Sequence, residues 1–214
     1  MSADLLTYRT RPADGDPQGA LVLIHGRGAS ESDLEPLADV LDPERRLAVF
    51  LPRGPLTIPP GGYHWYVVQR VGFPHAPTFL PTFERLSSWL DAVLGDAQIP
   101  IERTVIAGFS QGCVMSHALS LAAARPRPAG MVGFSGFVPQ VEGFELDLEG
   151  RAGFPVFIAH GTYDGIITVD FGRDARDRLV AAGVAVTYRE DPVDHTISME
   201  AAGEARGAIE RMIS

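Results

Sequence analysis

Lysine is absent from the 214-residue sequence, and cysteine occurs once, at Cys113. A single thiol excludes an intrachain disulfide and a cysteine-based zinc site. No run approaches the roughly 18 consecutive apolar residues of a membrane span, so integral membrane association is not expected. The opening Met1-Ser2-Ala3-Asp4 lacks the basic start and apolar core of a secretory leader, and a cytoplasmic location is expected. Positive charge is also scarce. Eighteen arginines face 27 acidic residues, a formal net charge of −9. That balance argues against a nucleic-acid partner, which requires clustered cations against its phosphates. The exclusive use of arginine reads as a coding bias without mechanistic content.

What is present is the composition of a globular protein: 45% hydrophobic, 21% charged, with 23 glycines and 17 prolines. At roughly 100–200 residues per domain, residues 1–214 are expected to form a single domain with its own core. Short apolar runs alternate with amphipathic segments. Residues 20–24, 47–51, 104–107, 131–134 and 156–159 read as buried strands, and 184–189 as a more peripheral one. Stripes at three- to four-residue spacing place helices at 82–97, 111–124, 170–182 and 197–213. Ser32-Asp33-Leu34-Glu35 has the form of a capping box opening a further helix to about Leu41. The alternation implies an α/β fold, a mostly parallel central sheet with helices on both faces. Residues 52–81, with seven prolines and several aromatics, break the pattern and are expected to form a lid or substrate loop.

Gly108-Phe109-Ser110-Gln111-Gly112 fits G-x-S-x-G between a predicted strand and a predicted helix. That context raises the serine hydroxyl above the strand ends on a strained turn. A serine needs a positioned base, and in this architecture the acid and then the histidine follow it in the chain. Of six histidines, only His195 follows a plausible acid; it precedes the last helix. Asp164 comes directly after the strand 156–159 and is the candidate to accept the His195 Nδ1 proton. Asp191 and Asp194 are weaker alternatives, while Asp170, Asp174 and Asp177 read as the solvated face of a helix. His160 is expected to bond the backbone of its own loop. The backbone N–H groups of Gln111 and Arg27 are the candidate oxyanion donors, the latter from the turn His25-Gly26-Arg27-Gly28. The Arg27 side chain is expected in solvent, with recognition of an anionic substrate as the alternative.

Taken together these segments resemble the phospholipase/carboxylesterase family of the α/β-hydrolase fold, which includes acyl-protein thioesterases. The matching pieces are Leu23–Gly28 with Asp33-Leu34, Gly108–Gly112, Phe134–Pro139, His160–Asp164 and His195–Ser198, in the family's order. The resemblance implies the triad Ser110, Asp164 and His195 with oxyanion donors at Arg27 and Gln111. Gly165 after the acid, Asp194 before the base, and Gly62–Val67 in place of a shorter segment depart from the family pattern and bear on the substrate.

The expected protein is a serine carboxylesterase that hydrolyses carboxylic esters or thioesters of small molecules through an acyl-enzyme. Trp65, Tyr66, Phe73 and Phe79 are candidate walls of an acyl pocket. No metal or organic cofactor is implied. A peptidase or amidase on the same fold, and a catalytically silent binding protein, stand as alternatives. Cys113, one turn past the serine, is expected to be a buried, inert thiol. The oligomeric state is left open, a homodimer included.

Overall fold

The computed structural model describes residues 6–214; the tetrapeptide Met1–Asp4, read above for a leader, lies outside them. Eleven strands and five α-helices follow one another among the described residues. The main sheet contains β1 (Tyr8–Arg11), β2 (Gly19–Ile24), β3 (Leu47–Pro52), β8 (Thr104–Phe109), β9 (Gly130–Phe134), β10 (Pro155–Gly161) and β11 (Ala185–Asp191). Its order is β1-β3-β2-β8-β9-β10-β11. All pairings are parallel except that of β1 with β3. The expected α/β architecture is therefore present.

The parallel strands are apolar at nearly every position because helices cover both faces. Ala20, Val22, Ile24 and Ile106 point toward α2 (Ala76–Ala97) and α3 (Gln111–Leu121), and pack with Trp89, Leu90, Val114 and Met115. Leu21, Leu23, Val105 and Ala107 point the opposite way. They pack with Leu41 of α1 (Glu35–Leu41) and with Ala205 and Ile209 of α5 (Met199–Ile213). A third cluster joins Met131, Val156 and Ile158 to Ala175 and Leu179 of α4 (Val169–Ala181).

Several boundaries differ from the sequence reading. The predicted capping box at Ser32–Glu35 does not form. The Ser32 hydroxyl accepts a bond from Arg9, Asp33 accepts the N–H and hydroxyl of Ser30, and Glu35 pairs with Arg9. Residues 32–34 are thus drawn into a turn, and α1 starts at Glu35. Strand β1 carries little signal in the sequence because Tyr8-Arg9-Thr10-Arg11 is an exposed edge with little apolar pattern.

The segment 52–81 is built rather than structureless. It folds into two hairpins, β4 (Leu56–Ile58) with β5 (Gly62–His64) and β6 (Val68–Arg70) with β7 (Phe73–Pro74), and then into the first turns of α2. Pro77 sits at the start of that helix, where a missing N–H costs nothing, and Pro81 removes one bond a turn later.

Candidate active site

The chain leaves β2 toward β3 on one side and β8 toward β9 on the other, so the sheet reverses its winding between β2 and β8. Side chains at the carboxyl ends of strands on either side of such a point share a crevice. Ser110 follows β8, His25–Gly28 follows β2, Asp164 lies beyond β10 and His195 beyond β11.

Ser110 has φ 56° and ψ −120°, a strained conformation for a residue with a side chain. Its N–H donates to the Phe134 carbonyl at 2.9 Å. The turn is possible only because residue 112 is glycine. A Cβ there would lie 1.8 Å from the Ile24 carbonyl oxygen. Gln111 then opens α3, so its N–H is among the first-turn donors that a helix leaves unpaired.

Ser110 Oγ lies 2.9 Å from His195 Nε2, and His195 Nδ1 lies 2.7 Å from Asp164 Oδ2. The Asp164 side chain is fully buried, and its other oxygen accepts the N–H groups of Ile166 and Ile167 at 2.9 and 2.8 Å. These bonds fix the carboxylate rotamer and supply acceptor satisfaction for a buried charge. His160 is likewise buried, and its Nε2–H donates to the Ile167 carbonyl at 2.7 Å, the backbone contact expected of it. Burial is the main force lowering the His160 pKa, opposed by the nearby Asp164.

Asp191 accepts from Arg189 and from the hydroxyl of Ser198, the N-cap of α5, and frames the loop that carries His195. Asp194 is exposed, as are Asp170, Asp174 and Asp177.

A lattice of polar contacts holds the turn at 25–29, and most of it comes from the segment 52–81. Gly54 N–H donates to His25 Nε2 at 3.0 Å, so the ring carries its proton on Nδ1 and donates to the Gly26 carbonyl at 2.7 Å. Burial lowers the His25 pKa, which preserves that neutral tautomer. Gly28 N–H donates to the Tyr63 carbonyl at 2.7 Å, and Tyr63 N–H returns to the Ala29 carbonyl at 2.9 Å. The backbones approach so closely that a Cβ on Gly62 would meet the Gly28 oxygen at 2.3 Å. Glu31 and Arg53 form a bidentate ion pair beneath, with the Arg53 guanidinium over the Tyr63 ring. The Gln111 side chain completes the lattice. Its Oε1 accepts Trp65 N–H at 3.0 Å and its Nε2 donates to the Tyr66 carbonyl at 2.8 Å. This arrangement leaves the Arg27 and Gln111 N–H groups without a hydrogen-bond partner among the described residues.

Ser110 opens onto a cleft of about 350 Å3 whose apolar wall includes Tyr66, Val68, Val71, Phe137, Ile166 and Ile167. Of the four aromatics expected to wall an acyl pocket, only Tyr66 lines this cleft.

Trp65 is wholly buried, its Nε1–H donating to the His25 carbonyl at 2.8 Å, and serves the turn rather than a pocket. Phe79 is wholly buried between Tyr66 and Phe144. Phe73 is 46% exposed and lies under the Arg70 guanidinium, outside the cleft. Large aromatics went to the core because they bury the most apolar area. Besides Tyr66 and Phe137 the wall uses aliphatic residues, among them the exposed Ile166, two residues past Asp164.

Arg27 is exposed, as expected, and its side chain also borders the cleft. Cys113 is buried, and burial pushes its thiol pKa up, consistent with an inert role. Among the described residues no group of three His, Cys, Asp or Glu could hold a metal ion, and no helix is long and apolar enough to cross a membrane.

A mostly parallel sheet covered by helices on both faces, with a nucleophile-type turn after its central strand, defines an α/β-hydrolase. The chain belongs to the phospholipase/carboxylesterase family, whose model matches residues 8–212, and is a serine hydrolase. It is 30% identical over 183 residues to acyl-protein thioesterase 1 of Yarrowia lipolytica, covering 79% of each chain. Against acyl-protein thioesterase 1 of Debaryomyces hansenii the identity is 27% over 214 residues, 92% of each. Among solved structures, the Bacillus cereus carboxylesterase superposes with a TM-score of 0.85 at 23% identity, covering 99% of this chain and 96% of that one. Esterase PE8 gives 0.84 at 21% identity, covering 97% and 99%.

Proposed function

We propose that this chain is a carboxylesterase that cleaves carboxylic esters or thioesters through an acyl-enzyme formed on Ser110. The observation that carries the reading is the pair of contacts on His195, 2.9 Å to Ser110 Oγ and 2.7 Å to Asp164 Oδ2. Asp164 holds Nδ1 protonated, which leaves Nε2 free to take the serine proton as Oγ attacks the carbonyl carbon. The oxyanion forms against the unpaired N–H groups of Arg27 and Gln111. Collapse expels the alcohol or thiol, which takes its proton from His195. Water, activated by the same imidazole, then releases the acid and regenerates Ser110. The names of the fungal relatives favour thioesters as one substrate class.

Hydrolysis of p-nitrophenyl esters of graded chain length tests the reading. Ser110→Ala is expected to lower kcat on the order of 10⁶-fold. Equal, substantial rates in both proteins would mean that another residue is the nucleophile.

A further inference from the structure

The charge bordering the cleft runs against that of the whole chain. The protein carries −9, yet the residues lining the cleft include two arginines, Arg27 and Arg70, and no aspartate or glutamate. Elsewhere surface arginines are commonly neutralised by carboxylates, as in Arg9 with Glu35, Arg125 with Asp91 and Arg173 with Glu190. Arg27 has no hydrogen bond or ion pair among the described residues. Arg70 rests over the Phe73 ring at 3.7 Å. Such stacking steadies a guanidinium while leaving its in-plane N–H edges free to grip oxygen anions. An apolar wall next to a positively charged edge fits a substrate with an apolar stretch and an anionic end.

We propose that the ester processed here carries a free anionic group, a carboxylate or a phosphate, bound at the cleft edge by the Arg27 and Arg70 side chains. This rests on Ser110 being the nucleophile and names the substrate class of that site. Opposite charges at an exposed edge act on encounter and binding, and salt screens them.

The test compares matched pairs of esters: mono-4-nitrophenyl glutarate with 4-nitrophenyl pentanoate, and 4-carboxyphenyl butyrate with 4-carbamoylphenyl butyrate. The first pair places the anion on the acyl side, the second on the leaving group. In at least one pair the anionic member is expected to have the higher kcat/KM, on the order of 10-fold at low salt, with the advantage shrinking toward unity in about 0.5 M NaCl. That salt titration needs no variant. Arg70→Gln should cut the ratio several-fold, Arg70→Lys should retain part of it, and Arg27→Gln with Arg70→Gln should abolish it. Taking the ratio within each protein cancels any general loss of activity. A phosphonate of the same length as the glutarate distinguishes the two anions.

Ser110-dependent hydrolysis with a ratio at or below one in both pairs, or a ratio unmoved by the double substitution, overturns this inference alone. Undiminished hydrolysis by Ser110→Ala overturns the nucleophile assignment with it.

Discussion

Trp65→Phe separates a residue that lines a pocket from one that holds the His25–Gly28 turn. Trp65 is wholly buried, and its Nε1–H donates to the His25 carbonyl at 2.8 Å, one residue before Gly26-Arg27. Phenylalanine removes that donor and leaves a buried carbonyl short of a bond, at a cost of about 1–3 kcal/mol. The smaller ring also leaves a void against the tilted His25 ring, 5.2 Å away between centroids, which adds about 1 kcal/mol. A total near 3 kcal/mol, at about 3 °C per kcal/mol for a chain of this size, lowers Tm by about 9 °C.

The kinetic consequence follows from the position of the turn. If the Arg27 N–H loses its aim by a few tenths of an ångström, part of one oxyanion bond is lost. Removing such a donor outright costs about 10²–10³ in kcat, so a loss of about 10-fold is expected. It should be uniform across p-nitrophenyl esters of every chain length, because the indole does not line the cleft. Thermal melts and a chain-length series on the same preparation give both readouts. An unchanged Tm with a shifted chain-length preference would refute the reasoning and return Trp65 to the pocket.

Further outcomes follow from the same geometry. Asp164→Asn is expected to reduce kcat by about 10⁴-fold, since an amide no longer selects the Nδ1–H tautomer of His195; a loss under tenfold would point to another acid. Gly112→Ala should fail to give soluble protein, because its Cβ would stand 1.8 Å from the Ile24 oxygen; a wild-type melting curve would contradict the packing. Acid should weaken the fold. Burial lowers the His117 pKa from 6.5 to about 4, so the unfolded chain takes up the proton first and stability falls as pH drops through that window. From about pH 7 to about pH 5 the loss from this group is about 2 kcal/mol. His25 and His160, also lowered by burial, act with the same sign. Urea midpoints at the two pH values check this, with a smaller difference expected for His117→Gln.

The elements that rest on local chemistry are legible in the order of the amino acids. Continuous apolar runs marked the parallel strands because both faces of those strands are covered. The G-x-S-x-G turn, the chain order of acid and base, and the His25–Gly28 turn each have a backbone requirement that a few residues express, so Ser110, Asp164, His195, Arg27 and Gln111 can be proposed from the sequence. How residues distant in sequence divide the work emerges only from their packing. Whether an aromatic of the 52–81 segment faces solvent, a cleft or the core depends on the element that carries it and on what lies opposite. Hence Trp65 braces the His25 turn, Phe79 fills the core and Phe73 carries Arg70. The placement of Arg27 and Arg70 at one cleft belongs to the same class of fact. Two arginines 43 positions apart carry no shared signal in sequence, and only the packing of the hairpin Val68–Pro74 against the strand ends gives them a common neighbour.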